Sequence, residues 1–102
     1  MDKDRKHFAA HLQAKAVGIK SAIERMNNSE RSTQPSELFG KDYNSLICAT
    51  KQEMPALSAL LPPEVEFYDN DYIKYSNATF AEIMSYCSQV NELLAAWLKD
   101  GR

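Results

Sequence analysis

The chain offers few residues able to do chemistry, and two of them stand in a telling pattern. It holds two histidines, His7 and His11, four positions apart. On a helix that spacing stacks both imidazoles on one side, as a chelated metal ion requires. Asp4 lies one turn earlier and would supply an oxygen ligand. No fourth ligand or ring-orienting partner can be assigned, so the histidines read as solvated surface residues, and neither a metal nor another cofactor is expected. The alternative reading keeps Asp4, His7 and His11 as the face of a small helical metal-binding protein or enzyme.

The remaining catalytic parts are sparse. Cys48 and Cys87 sit among apolar neighbours, Ile47 for the first, Met84 and Val90 for the second. Such surroundings favour a small buried hydrophobe over a nucleophilic thiolate. Gly18, Gly40 and Gly101 are far apart, so no glycine-rich loop can cradle a phosphate. With no paired acids in an apolar setting either, no catalysis is expected.

One stretch combines aromatics with acids: Glu64, Glu66, Asp69 and Asp71 alternate with Phe67, Tyr68, Tyr72 and Tyr75. It lacks the glycine and terminal glutamate of a calcium loop. Tyrosines beside carboxylates form a recognition surface, because a rigid aromatic anchor loses little entropy on binding. Against that stands a covering role, in which the rings fold back over the open end of a helical bundle; the covering role is preferred.

Composition narrows the class. The chain has 102 residues, 44% of them apolar and 25% charged, which suits one soluble domain spanning residues 1–102. The net charge of −2 argues against nucleic acid as the partner, since phosphate binding needs a basic surface. Charge is nevertheless uneven: residues 1–51 carry nine Lys/Arg against six Asp/Glu, and residues 52–102 carry three against eight. A third reading, a nucleic-acid accessory protein, would use Lys3, Arg5, Lys6, Lys15, Lys20 and Arg25 on the first helix. No apolar run approaches a membrane span, and Phe8 to Ala16 is broken by His11, Gln13 and Lys15, unlike a signal peptide. A cytoplasmic location is expected, with both thiols reduced.

The elements that would position these groups are mainly helical. Phe8, Leu12, Ala16, Ile19, Ile23 and Met26 recur at spacings of three and four, which predicts a helix from residue 4 to about 27. Ala10, Ala14, Gly18 and Ser21 form a second row of small residues on which another helix could pack closely. Asn27 to Pro35 reads as a loop. A second helix starts near Pro35–Glu37, and Pro55 must kink or split it. Thr50-Lys51-Gln52-Glu53 fits a capping box and favours a restart there. Residues 64–77 read as an irregular or hairpin-like segment; the loop is preferred, because the strands would be short and no third strand exists.

The last helix carries the clearest signal. Thr79-Phe80-Ala81-Glu82 is a capping box, followed by Phe80, Ile83, Cys87, Val90, Leu94 and Trp97 at helical spacing. Met84 and Leu98 on one side, with Tyr86 and Leu93 on the other, widen that stripe to roughly half the helix circumference, beyond the usual ~100°. The expectation is an all-α fold, a three-helix antiparallel bundle with a kinked or split second helix. Its function would be a protein–protein interaction or regulatory module, binding another protein or its own copy. Tyr68, Asp69, Asp71, Tyr72, Tyr75, Tyr86, Leu93 and Trp97 are the candidate contacts.

Overall fold

The computed structural model describes the backbone of residues 3–69 and 74–100, with side chains for 6–69 and 74–99. The chain is mainly helical with one small antiparallel sheet. In order it runs α1 (Lys3–Glu24), α2 (Asn28–Arg31), α3 (Glu37–Glu53), a 3-10 segment (Pro55–Leu60), β1 (Phe67–Asp69), β2 (Lys74–Ser76) and α4 (Phe80–Asp100). No helix among the described residues is long and apolar enough to cross a membrane.

On α1 the buried positions are Ala9, Leu12, Ala16, Ile19 and Ile23, close to the expected stripe. Phe8 is the departure: it sits at the rim of the stripe and is 44% exposed. The expected small-residue row takes no part in the packing of α1 within the chain. Ala10, Ala14 and Gly18 are exposed, and a methyl at Gly18 would meet only open space. The small residues that are buried are Ala9 and Ala16, on the stripe itself. They let a neighbouring helix come near, and α1 with α4 is the most extensive helix pair in the fold.

α1 stops at Glu24, three residues before the expected end, and Arg31 satisfies two of its last carbonyls. Arg31 Nε donates to Ile23 O at 3.2 Å, and Arg31 Nη2 donates to Glu24 O at 2.6 Å. Arg31 is delivered by α2, a single turn inside the stretch expected to be loop. That turn exists because Asn27 Oδ1 accepts from Glu30 N at 2.8 Å while Glu30 Oε1 accepts from Asn27 N at 3.1 Å.

The split of the second helix is present, but its cause differs from the expected capping box. Thr50 lies inside α3 and its hydroxyl bonds back to Leu46 O at 2.7 Å, so it caps nothing downstream. α3 ends at Glu53, and Met54 leaves helical geometry at φ −134°, ψ 71°. A residue preceding proline is sterically disfavoured in the α region, and Pro55 then opens the tighter 3-10 segment.

Residues 64–77 are the main correction. They hold a hairpin with Phe67 opposite Ser76, Tyr68 opposite Tyr75 and Asp69 opposite Lys74. The sheet has two strands, as the absence of a third strand required, and the backbone just before α3 steadies its edge. Ser36 forms a bridge to Tyr75, and Ser76 N donates to Pro35 O at 3.0 Å. α3 then clamps the approach to β1 from the other side. Asn44 both donates to Val65 O (2.9 Å) and accepts from Val65 N (2.8 Å), and Tyr43 Oη donates to Pro63 O (2.8 Å).

On α4 the expected cap is present: Thr79 Oγ1 accepts from Glu82 N at 3.2 Å, and Glu82 Oε1 accepts from Thr79 N at 3.0 Å. Ile83, Cys87, Val90 and Leu94 are fully buried, while Phe80, Met84, Tyr86, Trp97 and Leu98 flank them half-buried. The cysteines diverge. Cys87 is buried as expected, but Cys48 is exposed on α3, off the Tyr43–Leu46–Ile47 stripe. A thiol reagent at neutral pH should therefore modify Cys48 as fast as an unfolded peptide thiol. Cys87 should react only as often as the core opens. Two equally fast thiols in the folded protein would refute this arrangement.

Candidate functional site

A solvent-facing apolar surface lies where the hairpin meets the start of α3. Alternation along β1 sends Phe67 and Tyr68 to opposite faces. Phe67 turns inward over Gly40: a Cβ on that glycine would lie 2.6 Å from Phe67 Cε1 and 3.3 Å from Val65 Cγ2. The hairpin therefore seats directly on the backbone of α3. Its cross-strand neighbour Ser76 is also buried, its hydroxyl accepting from Ala78 N and donating to Ala78 O, each at 3.0 Å.

Tyr68 and Tyr75 occupy the opposite, outer face. Their ring centroids are 6.0 Å apart, a cross-strand aromatic pair, and Tyr68 is 50% exposed. So the covering role expected of the aromatics falls to Phe67, while Tyr68 stays in water. Next to Tyr75 stands Leu38, 82% exposed, in a groove of about 400 Å³ shared with Gln34, Ser36, Glu37 and Lys74. Glu37 holds the rim through Lys74 Nζ at 3.3 Å and Lys41 Nζ at 3.6 Å. These are surface ion pairs that orient side chains more than they stabilise the fold.

The other expected contacts among the described residues do not line this groove. Asp69 is exposed at the end of β1, in register with Lys74. Asp71 and Tyr72 lie outside the described residues. Tyr86 is half-buried, its ring 6.0 Å from that of the buried Tyr43, so it closes the core more than it offers an edge. It also walls a crevice of about 320 Å³ with Pro63, Glu64, Glu66 and Glu82. Two of those carboxylates are already engaged, Glu64 with Lys51 Nζ at 3.8 Å and Glu82 in the α4 cap. Leu93 lines a separate shallow groove beside Leu60, and Trp97 packs half-buried on the core. The six expected contacts among the described residues thus divide between the two strands and α4.

Leu38 escaped the sequence reading, although a signal existed. It is an apolar residue out of phase with Phe39, Tyr43, Leu46 and Ile47, so it had to face away from the core. The chemistry-bearing residues are dispersed. His7 and His11 are exposed on α1, and the Asp4 side chain lies outside those described. Cys87 is in the core, where burial pushes its thiol up to about 12, the reverse of what a nucleophile needs. Lys15 on α1 is paired with Asp42 at 3.4 Å, which subtracts one cation from the basic face of that helix. Comparison with protein-family models, curated proteins and solved structures gives no match to this chain.

Proposed function

We propose that this chain is a protein–protein interaction or regulatory module without catalysis of its own, working in the cytoplasm. Its scaffold is a three-helix antiparallel bundle of α1, α3 and α4, and its contact surface is the outer face of the hairpin. The observation that carries the reading is Leu38, 82% exposed beside the Tyr68–Tyr75 pair. A leucine left in water next to two aromatics, rimmed by charges, has the make-up of an interface centre with a polar edge. The partner is another protein or a second copy of the chain.

The test is a Leu38→Glu/Tyr68→Ser double variant, whose exposed positions leave the core untouched. Proteins captured from cells of the source by the natural chain should be lost with the variant, by about tenfold or more, since an interface anchor contributes about 2 kcal/mol. Sedimentation of the purified chain covers self-association by the same comparison. A variant that retains both the captured proteins and the natural sedimentation behaviour would sink the proposal.

A further inference from the structure

We infer that His7 and His11 together chelate one borderline divalent cation of the Cu²⁺, Ni²⁺ or Zn²⁺ class, on a face of α1 separate from the hairpin. α1 is continuous from Lys3 to Glu24, so the four-residue spacing of the two histidines is one helical turn, and their side chains stand one above the other. Both are exposed. At roughly 100° per residue they point about opposite to the stripe formed by Ala9, Leu12, Ala16, Ile19 and Ile23. Neither ring has to leave the core to reach an ion; the one aromatic contact is the edge-to-face approach of His7 to the half-exposed Phe8, at 6.3 Å between centroids.

The donor chemistry selects the cation. Two neutral imidazoles suit borderline transition ions, whereas calcium and magnesium call for oxygens. Among the described residues no group of three or more His, Cys, Asp or Glu is placed to hold a metal, and the inference rests on the two imidazoles alone. Water or a donor from another molecule completes the coordination sphere, and affinity falls well below that of a four-ligand structural site. The bound ion ties one turn of α1 to the next. A helix that holds both rings on one side binds the ion more tightly than the unfolded chain does, so the ion raises the melting temperature.

The experiment titrates the chloride salts of Cu²⁺, Ni²⁺ and Zn²⁺ into the full chain, free of any affinity tag, following heat and melting temperature. One ion per chain is expected from the heat of binding, which saturates, while the melting temperature keeps rising with the logarithm of free ion above the Kd. His7→Gln and His11→Gln should each weaken binding about tenfold or more, because even loss of a group that merely orients a ligand costs that much. A third variant, His11→Gln with Gln13→His, keeps two histidines but turns them to different sides, and it should not recover binding. Absence of saturable binding to the natural chain would overturn the inference. So would single variants that bind as the natural chain does, or recovery by the displaced histidine.

Discussion

Above about pH 9 the protein is expected to lose stability steeply, and two buried side chains, Cys87 and Tyr43, are expected to account for most of the loss. Both are fully buried, and Cys87 lies close enough to Tyr43 for a charge on one to be felt by the other. Burial pushes the Cys87 thiol up from its ordinary 9.0 to about 12. Burial first, and then the charges on Cys87, Tyr86 and Glu64, push the Tyr43 phenol still further above its ordinary 10.0. In each case the folded chain holds its proton where the unfolded chain releases it. The stabilisation is therefore complete below the unfolded value and drains away as pH rises toward the folded one. Each group contributes about 1.4 kcal/mol per pH unit, so Cys87 alone accounts for about 4 kcal/mol between pH 9 and 12.

That amount is a large share of the roughly 5–15 kcal/mol by which a domain is stable. Urea unfolding at a series of pH values should show a plateau near neutrality and a fall beginning close to pH 9. Cys87→Ala and Tyr43→Phe should each start less stable at pH 7, the first through a small cavity and the second by losing its bond to Pro63 O. Yet each should fall less steeply with pH, and the double variant least of all. Parallel pH profiles for all four proteins would show that neither group carries the alkaline loss.

A methyl group at Gly40 is expected to destabilise the protein, while the same methyl at Gly18 stabilises it. Helix propensity favours alanine over glycine by about 1 kcal/mol at both positions. At Gly18 nothing lies within 4 Å, so the full propensity gain of about 1 kcal/mol should appear. At Gly40 the new Cβ would overlap the Phe67 ring at 2.6 and 2.9 Å and press on Val65 at 3.3 Å. Val65 is buried and its backbone is held at both ends by Asn44, so it cannot step aside without breaking those bonds. The ring must swing outward and lift the hairpin, and overpacking of this kind costs about 1–3 kcal/mol, enough to outweigh the propensity gain. Melting of the two single variants would decide it: Gly18→Ala above the natural chain, Gly40→Ala below. A Gly40→Ala protein that melts higher would mean the hairpin is not seated on α3 as described.

The legible features were those set by local spacing. The stripe Leu12–Ala16–Ile19–Ile23, the Thr79/Glu82 cap and the Ile83–Cys87–Val90–Leu94 ridge follow from a period of 3.6 and one capping pair, both written into neighbouring residues. The interruption at Pro55 is legible for the same reason, since proline acts on the residues beside it. Local rules also misled. Thr50-Lys51-Gln52-Glu53 has the letters of a cap, but a threonine already inside a helix satisfies its hydroxyl one turn back, at Leu46 O.

The sequence by itself determined that this is a mainly helical chain with buried stripes on α1, α3 and α4, because those periodicities are intrinsic to each segment. Its aromatic–acidic stretch was equally plain, but not the work each ring performs. Only the tertiary structure decided that Phe67 covers α3 while Tyr68 faces water, because strand alternation has no sign until one face is docked. It alone brought Pro35–Ser36 against the edge of β2, from which they are distant in sequence and for which they carry no strand pattern. The surface beside Tyr75 follows from that docking, which brings Leu38 against the hairpin and leaves it in water.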